Sequence, residues 1–144
     1  MTCAIDANLL LYALNQSAPE HVRASRFLDR LVDREEPLCM PWTVVLAFLR
    51  LATNPRILPH PLSPTAAREW LDEIINLPQT RLLSKEPGFW KAFGEVAAPL
   101  NPRGADVTDV HLASVLKQHG VVTLYSSDRG FRRFDFLKVI DPLA

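Results

Sequence analysis

The sequence is short of several things, and each shortage closes a route. Cysteine occurs twice in 144 residues, at Cys3 and Cys39, both inside apolar runs and without the spacing of a zinc site. Buried free thiols in a reducing cytosol are the expectation, not a disulfide. Net charge is absent: sixteen basic residues balance sixteen acidic ones, so no global field draws the chain to nucleic acid or membrane. No apolar run approaches the roughly 18–20 residues that cross a bilayer. The start, "MTCAID", has no basic flank and an early acid, which predicts no signal peptide. No glycine-rich phosphate loop follows the first apolar run, and there is no G-x-S-x-G elbow. The four histidines, His21, His60, His111 and His119, form no helical ligand pair, which argues against zinc chemistry.

What remains is 48% apolar and 22% charged, the balance of a folded soluble chain, and 144 residues is the size of one domain. One cytoplasmic domain over 1–144 is expected. Short apolar strands alternate with helical patterns. "TCAI" (2–5), "PLCMP" (37–41), "TRLLS" (80–84), "VVTLY" (121–125) and "LKVI" (137–140) read as strands. Helices are predicted from Asn8 as cap, over 20–34 with Val22, Phe27, Leu28 and Leu31 as its apolar face, and over 42–53. Others follow over 65–76 behind Ser63 and Pro64, over 88–100, and over 107–119 up to Gly120. Such alternation predicts an α/β fold with a mainly parallel sheet covered on both faces. Ligands in that architecture bind beyond the carboxyl ends of the strands.

Three acids fall at that edge. Asp6 ends the first strand, and Asp128 follows "VVTLY" after Ser126 and Ser127. Asp109 lies one turn into its helix, in line with Leu112, Ala113 and Leu116, where an unpaired charge would be costly. Each alone reads as a cap or turn residue. Together they point to a hard cation, Mg²⁺ or Mn²⁺, because clustered carboxylates repel until an oxygen-seeking ion sits among them. Such an ion acidifies a bound water and holds a phosphate oxygen, the requirements of phosphodiester hydrolysis. Asp106 is expected to cap the Asp109 helix. Arg129, Arg132 and Arg133 form a basic cluster that could contact a phosphate backbone, and Phe131 and Phe134 between them are expected in the core.

The segments "IDANLLLYA", "WTVVLAFLRLATNPRI", "DVTDVHLASVLKQHG" and "LYSSDRGFRRF…LKVIDPL", in this order, resemble a PIN-domain ribonuclease of the VapC type. That is the toxin half of a type II toxin–antitoxin pair. Residues from about 64 to 100 resemble the family only in being helical. The resemblance implies a five-stranded parallel sheet in a three-layer α/β/α sandwich and Mg²⁺- or Mn²⁺-dependent cleavage of RNA. It further implies a homodimer and inhibition by a cognate antitoxin protein. It carries metal-binding and catalytic roles onto Asp6, Asp109 and Asp128, and a supporting role onto Ser126. One departure stands out: the family usually has a glutamate three residues before the arginine of the third helix, and here Ala47 precedes Arg50. Glu35 and Glu36 belong at the opposite edge, and Glu86 follows a border strand, so neither replaces it well. One ion is therefore expected, held chiefly by Asp6 and Asp109, with Asp128 supporting from just outside. Two other readings compete: a catalytically weak relative that binds RNA or a partner, and a receiver-like signalling domain. The receiver lacks a phosphoacceptor, since no aspartate lies between Asp72 and Asp106.

Overall fold

The computed structural model describes residues 2–144. Strand β1 (Cys3–Ile5) leads into helix α1 (Ala7–Leu14), and α2 (His21–Asp33) returns the chain to β2 (Leu38–Pro41). Helices α3 (Trp42–Ala52) and α4 (Pro64–Ile75) precede β3 (Thr80–Leu83). Helices α5 (Phe89–Ala97) and α6 (Asp106–Gln118) precede β4 (Thr123–Tyr125), and a 3-10 turn (Arg129–Arg133) connects to β5 (Lys138–Ile140). All four pairings are parallel, in the order β3-β2-β1-β4-β5. Every residue of β1, β2 and β4 is buried, so both faces of the central sheet are covered. This is the three-layer α/β/α sandwich expected above.

The strand order disposes of the receiver reading. Receiver domains are wound 2-1-3-4-5, whereas this chain steps from β1 through β2 to β3 and then crosses back to β4 beside β1. The direction of winding reverses between β1 and β4. Their carboxyl ends therefore flank the crevice, and Asp6 and Ser126 are the residues that leave those two strands.

Local chemistry fixes the ends of the elements. Ser63 Oγ accepts from the Ala66 N–H at 3.1 Å, with Pro64 at the first helical position, as its sequence predicts. At the end of α6, Gly120 adopts φ 68°. Its N–H donates to the Lys117 carbonyl at 3.1 Å and the Val121 N–H to that of Leu116 at 3.0 Å. That double closure turns the chain at once into β4. Three expectations are corrected. Asn8 lies inside α1, and Asp6 is the cap, its Oδ1 accepting from the Ala7 N–H at 2.8 Å. Asp106 is the first residue of α6, not its cap; Ala105 holds that position without a side-chain bond. Val22 is exposed; α2 buries Phe27 and Leu31 as expected, with Leu28 half-buried and Ala24 added to that face. Cys3 and Cys39 are buried and free, and Phe131 and Phe134 are core residues.

Candidate active site

Asp6 is held by both of its oxygens. While Oδ1 caps α1, Oδ2 accepts a hydrogen bond from Ser126 Oγ at 2.8 Å, and the Asp6 N–H donates to the Tyr125 carbonyl at 3.0 Å. The same Ser126 Oγ accepts from the Asp128 N–H at 3.0 Å. One buried hydroxyl thus ties the end of β1 to the turn after β4. Asp128 in turn accepts from the Gly130 N–H at 2.8 Å through Oδ1 and opens the 3-10 turn. A side chain at position 130 would place its Cβ 3.0 Å from that oxygen, so glycine suits the turn. Asn8 Nδ2 donates to Ser127 Oγ at 2.9 Å, and Asn8 Oδ1 is buried without a protein partner.

Asp109 approaches from the first turn of α6. It stands in line with buried Leu112, Ala113 and Leu116, as the sequence periodicity requires. Arg133 reaches it from the 3-10 turn, with Nη2 3.0 Å from Asp109 Oδ2 and Nη1 3.2 Å from Asp106 Oδ1. Arg129 and Arg132 remain exposed. The arginine cluster is therefore divided: one member serves the acids, and two face solvent. Nothing in the sequence pattern separates Arg133 from its neighbours; only the path of the 3-10 turn does.

Electrostatics join the three carboxylates. Burial raises the pKa of Asp6 above its ordinary value, the bonds from Ser126 and Ala7 oppose this, and the charges of Asp128 and Asp109 add to it. Asp109 is also raised, by burial first; Arg133 lowers it and Asp128 and Asp106 push it up. The acids thus feel one another across a single edge. They do not form a closed ligand cage: among the described residues, no three Asp, Glu, His or Cys side chains are placed to hold one ion together. Glu86 belongs elsewhere, with its Oε1 3.5 Å from His119 Nε2 and its backbone bonded to Gln118. Ala47 is half-buried against the core.

No family model matches the chain. Ribonuclease VapC48 of Mycobacterium tuberculosis (strain ATCC 25618 / H37Rv) is 33% identical over 144 residues, spanning 100% of this chain and 99% of that one. The chain belongs to the VapC ribonuclease family. Among solved structures, VapBC2 from Rickettsia felis, bound to a DNA fragment from its promoter, shares the fold with a TM-score of 0.68. The two chains are 15% identical, and the match covers 97% of this chain and 98% of that one. Mycobacterium tuberculosis VapC20, described as a sarcin–ricin-loop cleaving toxin, matches at TM-score 0.67 and 15% identity over 91% of this chain and 93% of its own.

For a VapC chain the pertinent question is whether these residues suit a divalent ion. The donor set does. It offers oxygens, from carboxylates that repel one another. Hard ions such as Mg²⁺ and Mn²⁺ prefer that chemistry and complete their shell with water, which an incomplete protein cage permits.

Proposed function

We propose that this VapC chain is the toxin of a toxin–antitoxin pair and hydrolyses RNA phosphodiester bonds with Mg²⁺ or Mn²⁺. Asp6 and Asp109 would hold the ion, and Asp128 would support them. The observation that carries the reading is the Ser126 hydroxyl, which locks Asp6 and Asp128 together at the switch point of the sheet while α6 brings Asp109 to the same edge. When bound, the ion supplies the positive charge that polarises the phosphate and acidifies water. The chain's own groups do the rest. Asp6, fixed at both oxygens, cannot swing away from the position it presents. Asp109 or Asp128 accepts a proton from the attacking water as its oxygen bonds to phosphorus. The bond from phosphorus to the leaving oxygen breaks, and that oxygen takes up a proton. Exposed Arg129 and Arg132 offer contacts for the flanking phosphates.

The related VapBC complex supports an antitoxin as partner. An amphipathic antitoxin segment in a groove near the early helices, and a homodimer, complete the proposal. A cytoplasmic setting agrees with the absence, among the described residues, of any helix long and apolar enough to cross a membrane.

A second reading, a catalytically weak member that binds RNA or a partner, is favoured by Ala47 and by the grip of Arg133 on Asp109. RNA cleavage with Mn²⁺ against EDTA, in wild type, Asp6→Asn and Asp109→Asn, separates them. The nuclease reading expects EDTA to abolish cleavage and each variant to lose about 10²–10³-fold. Equal cleavage in all three proteins would assign the activity to another site. Normal RNA binding without cleavage would favour the second reading.

A further inference from the structure

We propose that Arg133 grips the RNA phosphate at the ion site, and that in the metal-free protein Asp106 and Asp109 hold its guanidinium out of use. Arg133 gives up Asp109 when that carboxylate takes up an ion, and turns to the phosphate. This rests on the ribonuclease reading and adds to it a substrate contact and the event that uncovers it.

Arg133 is the last residue of the 3-10 turn and reaches from there to the first turn of α6. Its Nη1 donates to Asp106 Oδ1 at 3.2 Å and its Nη2 to Asp109 Oδ2 at 3.0 Å, so one planar fork spans two carboxylates. Asp128 borders the same space. A Cβ at position 130 would stand 3.0 Å from Asp128 Oδ1 and 3.9 Å from Arg133 Nη1, and glycine leaves that point open. The guanidinium therefore lies among three carboxylates, two of which belong to the proposed ion site.

These contacts are weak enough to exchange. The side chains of Arg133, Asp109 and Asp106 are 30%, 29% and 51% exposed. Ion pairs with that access to water contribute little, and salt screens them. A divalent ion offers the same Asp109 oxygen twice the charge, so the guanidinium is the partner that yields. It does not lose its seat in doing so. The Arg133 Cζ lies 5.2 Å from the centre of the Phe134 ring, and that ring is buried in the core. The fixed aromatic face supports the cation whichever oxygen it bonds.

Position names the next partner. Mg²⁺ binds its oxygens at about 2.0–2.1 Å, so two oxygens on one such ion are at most about 4 Å apart. A phosphate oxygen that shares an ion with Asp109 Oδ2 therefore falls beside the atom that Arg133 Nη2 touches in the metal-free protein. The chemistry matches: a guanidinium is always charged, carries its N–H donors in one plane and bonds phosphate as readily as carboxylate. Ion and RNA are thereby coupled. Uptake of one uncovers a contact for the other, and by linkage the RNA tightens the ion by the same factor.

The test uses the full chain, Mg²⁺ alone, and a short single-stranded RNA checked on a gel for integrity after each titration. Arg133→Gln removes the charge at a partly exposed position and should fold; Arg133→Lys keeps the charge. Calorimetry without RNA is expected to show Arg133→Gln binding Mg²⁺ about two- to fivefold more tightly than wild type. In Mg²⁺, Arg133→Gln is expected to bind the RNA about tenfold more weakly, with a salt dependence reduced by about one phosphate contact. Arg133→Lys should recover part of that loss. In EDTA, wild type and Arg133→Gln are expected to bind the RNA nearly alike, because the acids mask the wild-type guanidinium. A merely structural Arg133 would cost RNA affinity equally with and without the ion, and that result would overturn the proposal. So would unchanged RNA affinity in Mg²⁺, or Mg²⁺ binding that is unchanged or weaker in Arg133→Gln. RNA affinity that depends on Arg133 only in Mg²⁺, in a wild type that cleaves no RNA, would leave the proposal standing and remove the nuclease reading. Mg²⁺-dependent cleavage with an RNA affinity indifferent to Arg133 would do the reverse.

Discussion

Arg133 grips Asp109 at 3.0 Å, placing a cation of the chain's own where an incoming ion would need the same carboxylate oxygen. Arg133→Gln keeps some hydrogen-bonding capacity and removes the charge. The Mn²⁺ concentration giving half-maximal cleavage is expected to fall, by up to about fivefold, the scale of a partly exposed ion pair of roughly 0.2–1 kcal/mol. Mn²⁺ titrations of both proteins check this. A rise instead would mean that Arg133 poises Asp109 for the ion and does not compete with it.

Ser126 serves two partners with one hydroxyl. In Ser126→Ala, Asp6 Oδ2 loses a donor and the Asp128 N–H an acceptor. Unpairing a buried polar group costs about 1–3 kcal/mol, which denaturant melts will show. Cleavage should drop by about 10–100-fold, the usual effect of disturbing a group that orients a metal ligand. Ser126→Thr should recover both where its methyl is accommodated. A loss of stability with full activity would reduce Ser126 to a structural role.

The raised carboxylates of Asp6 and Asp109 set a pH dependence with a definite sign. A folded carboxyl with a raised pKa binds its proton more tightly than the unfolded chain does. Its contribution to stability is therefore full below 3.8, the ordinary value, and is lost as pH rises from there through the raised folded value. In EDTA, the difference in melting temperature between wild type and Asp6→Asn should move against wild type across that window. Mn²⁺ should restore wild type above it and do little for the variant. Parallel pH curves for the two proteins would show that Asp6 is not strained.

Phe48 is fully buried and stacks on Trp70 at 5.0 Å with an 18° interplanar angle, joining α3 to α4. Phe48→Ala should cost about 3–5 kcal/mol, readable in urea melts. Phe48→Leu should cost far less. Equal penalties would mean that the ring stack, and not filled volume, matters there.

The fold was legible because its signals are local. "TCAI" and "VVTLY" are too short and too apolar for surface helices. The Ser63–Pro64 start and the Gly120 stop each name a helix end by backbone chemistry that sequence displays directly. Asp109 was legible as well, because a charge in register with Leu112 and Leu116 is visible on a helical wheel. The cap of α1 was not. Asn8 and Asp6 are both good capping residues, and only the exit angle of β1 decides between them. The split of the arginines escaped for a similar reason: Arg129, Arg132 and Arg133 differ in direction, which a 3-10 turn sets and composition does not.

The hydrogen bond from Ser126 to Asp6 spans 120 positions of the chain. A polypeptide still emerging from the ribosome carries its first carboxylate from the outset, yet until residue 126 is made its second oxygen lacks the Ser126 hydroxyl and only the adjacent Ala7 N–H holds the first. The full clasp on Asp6 is thus assembled from both ends of the chain, and a polypeptide stopped within β4 cannot form it.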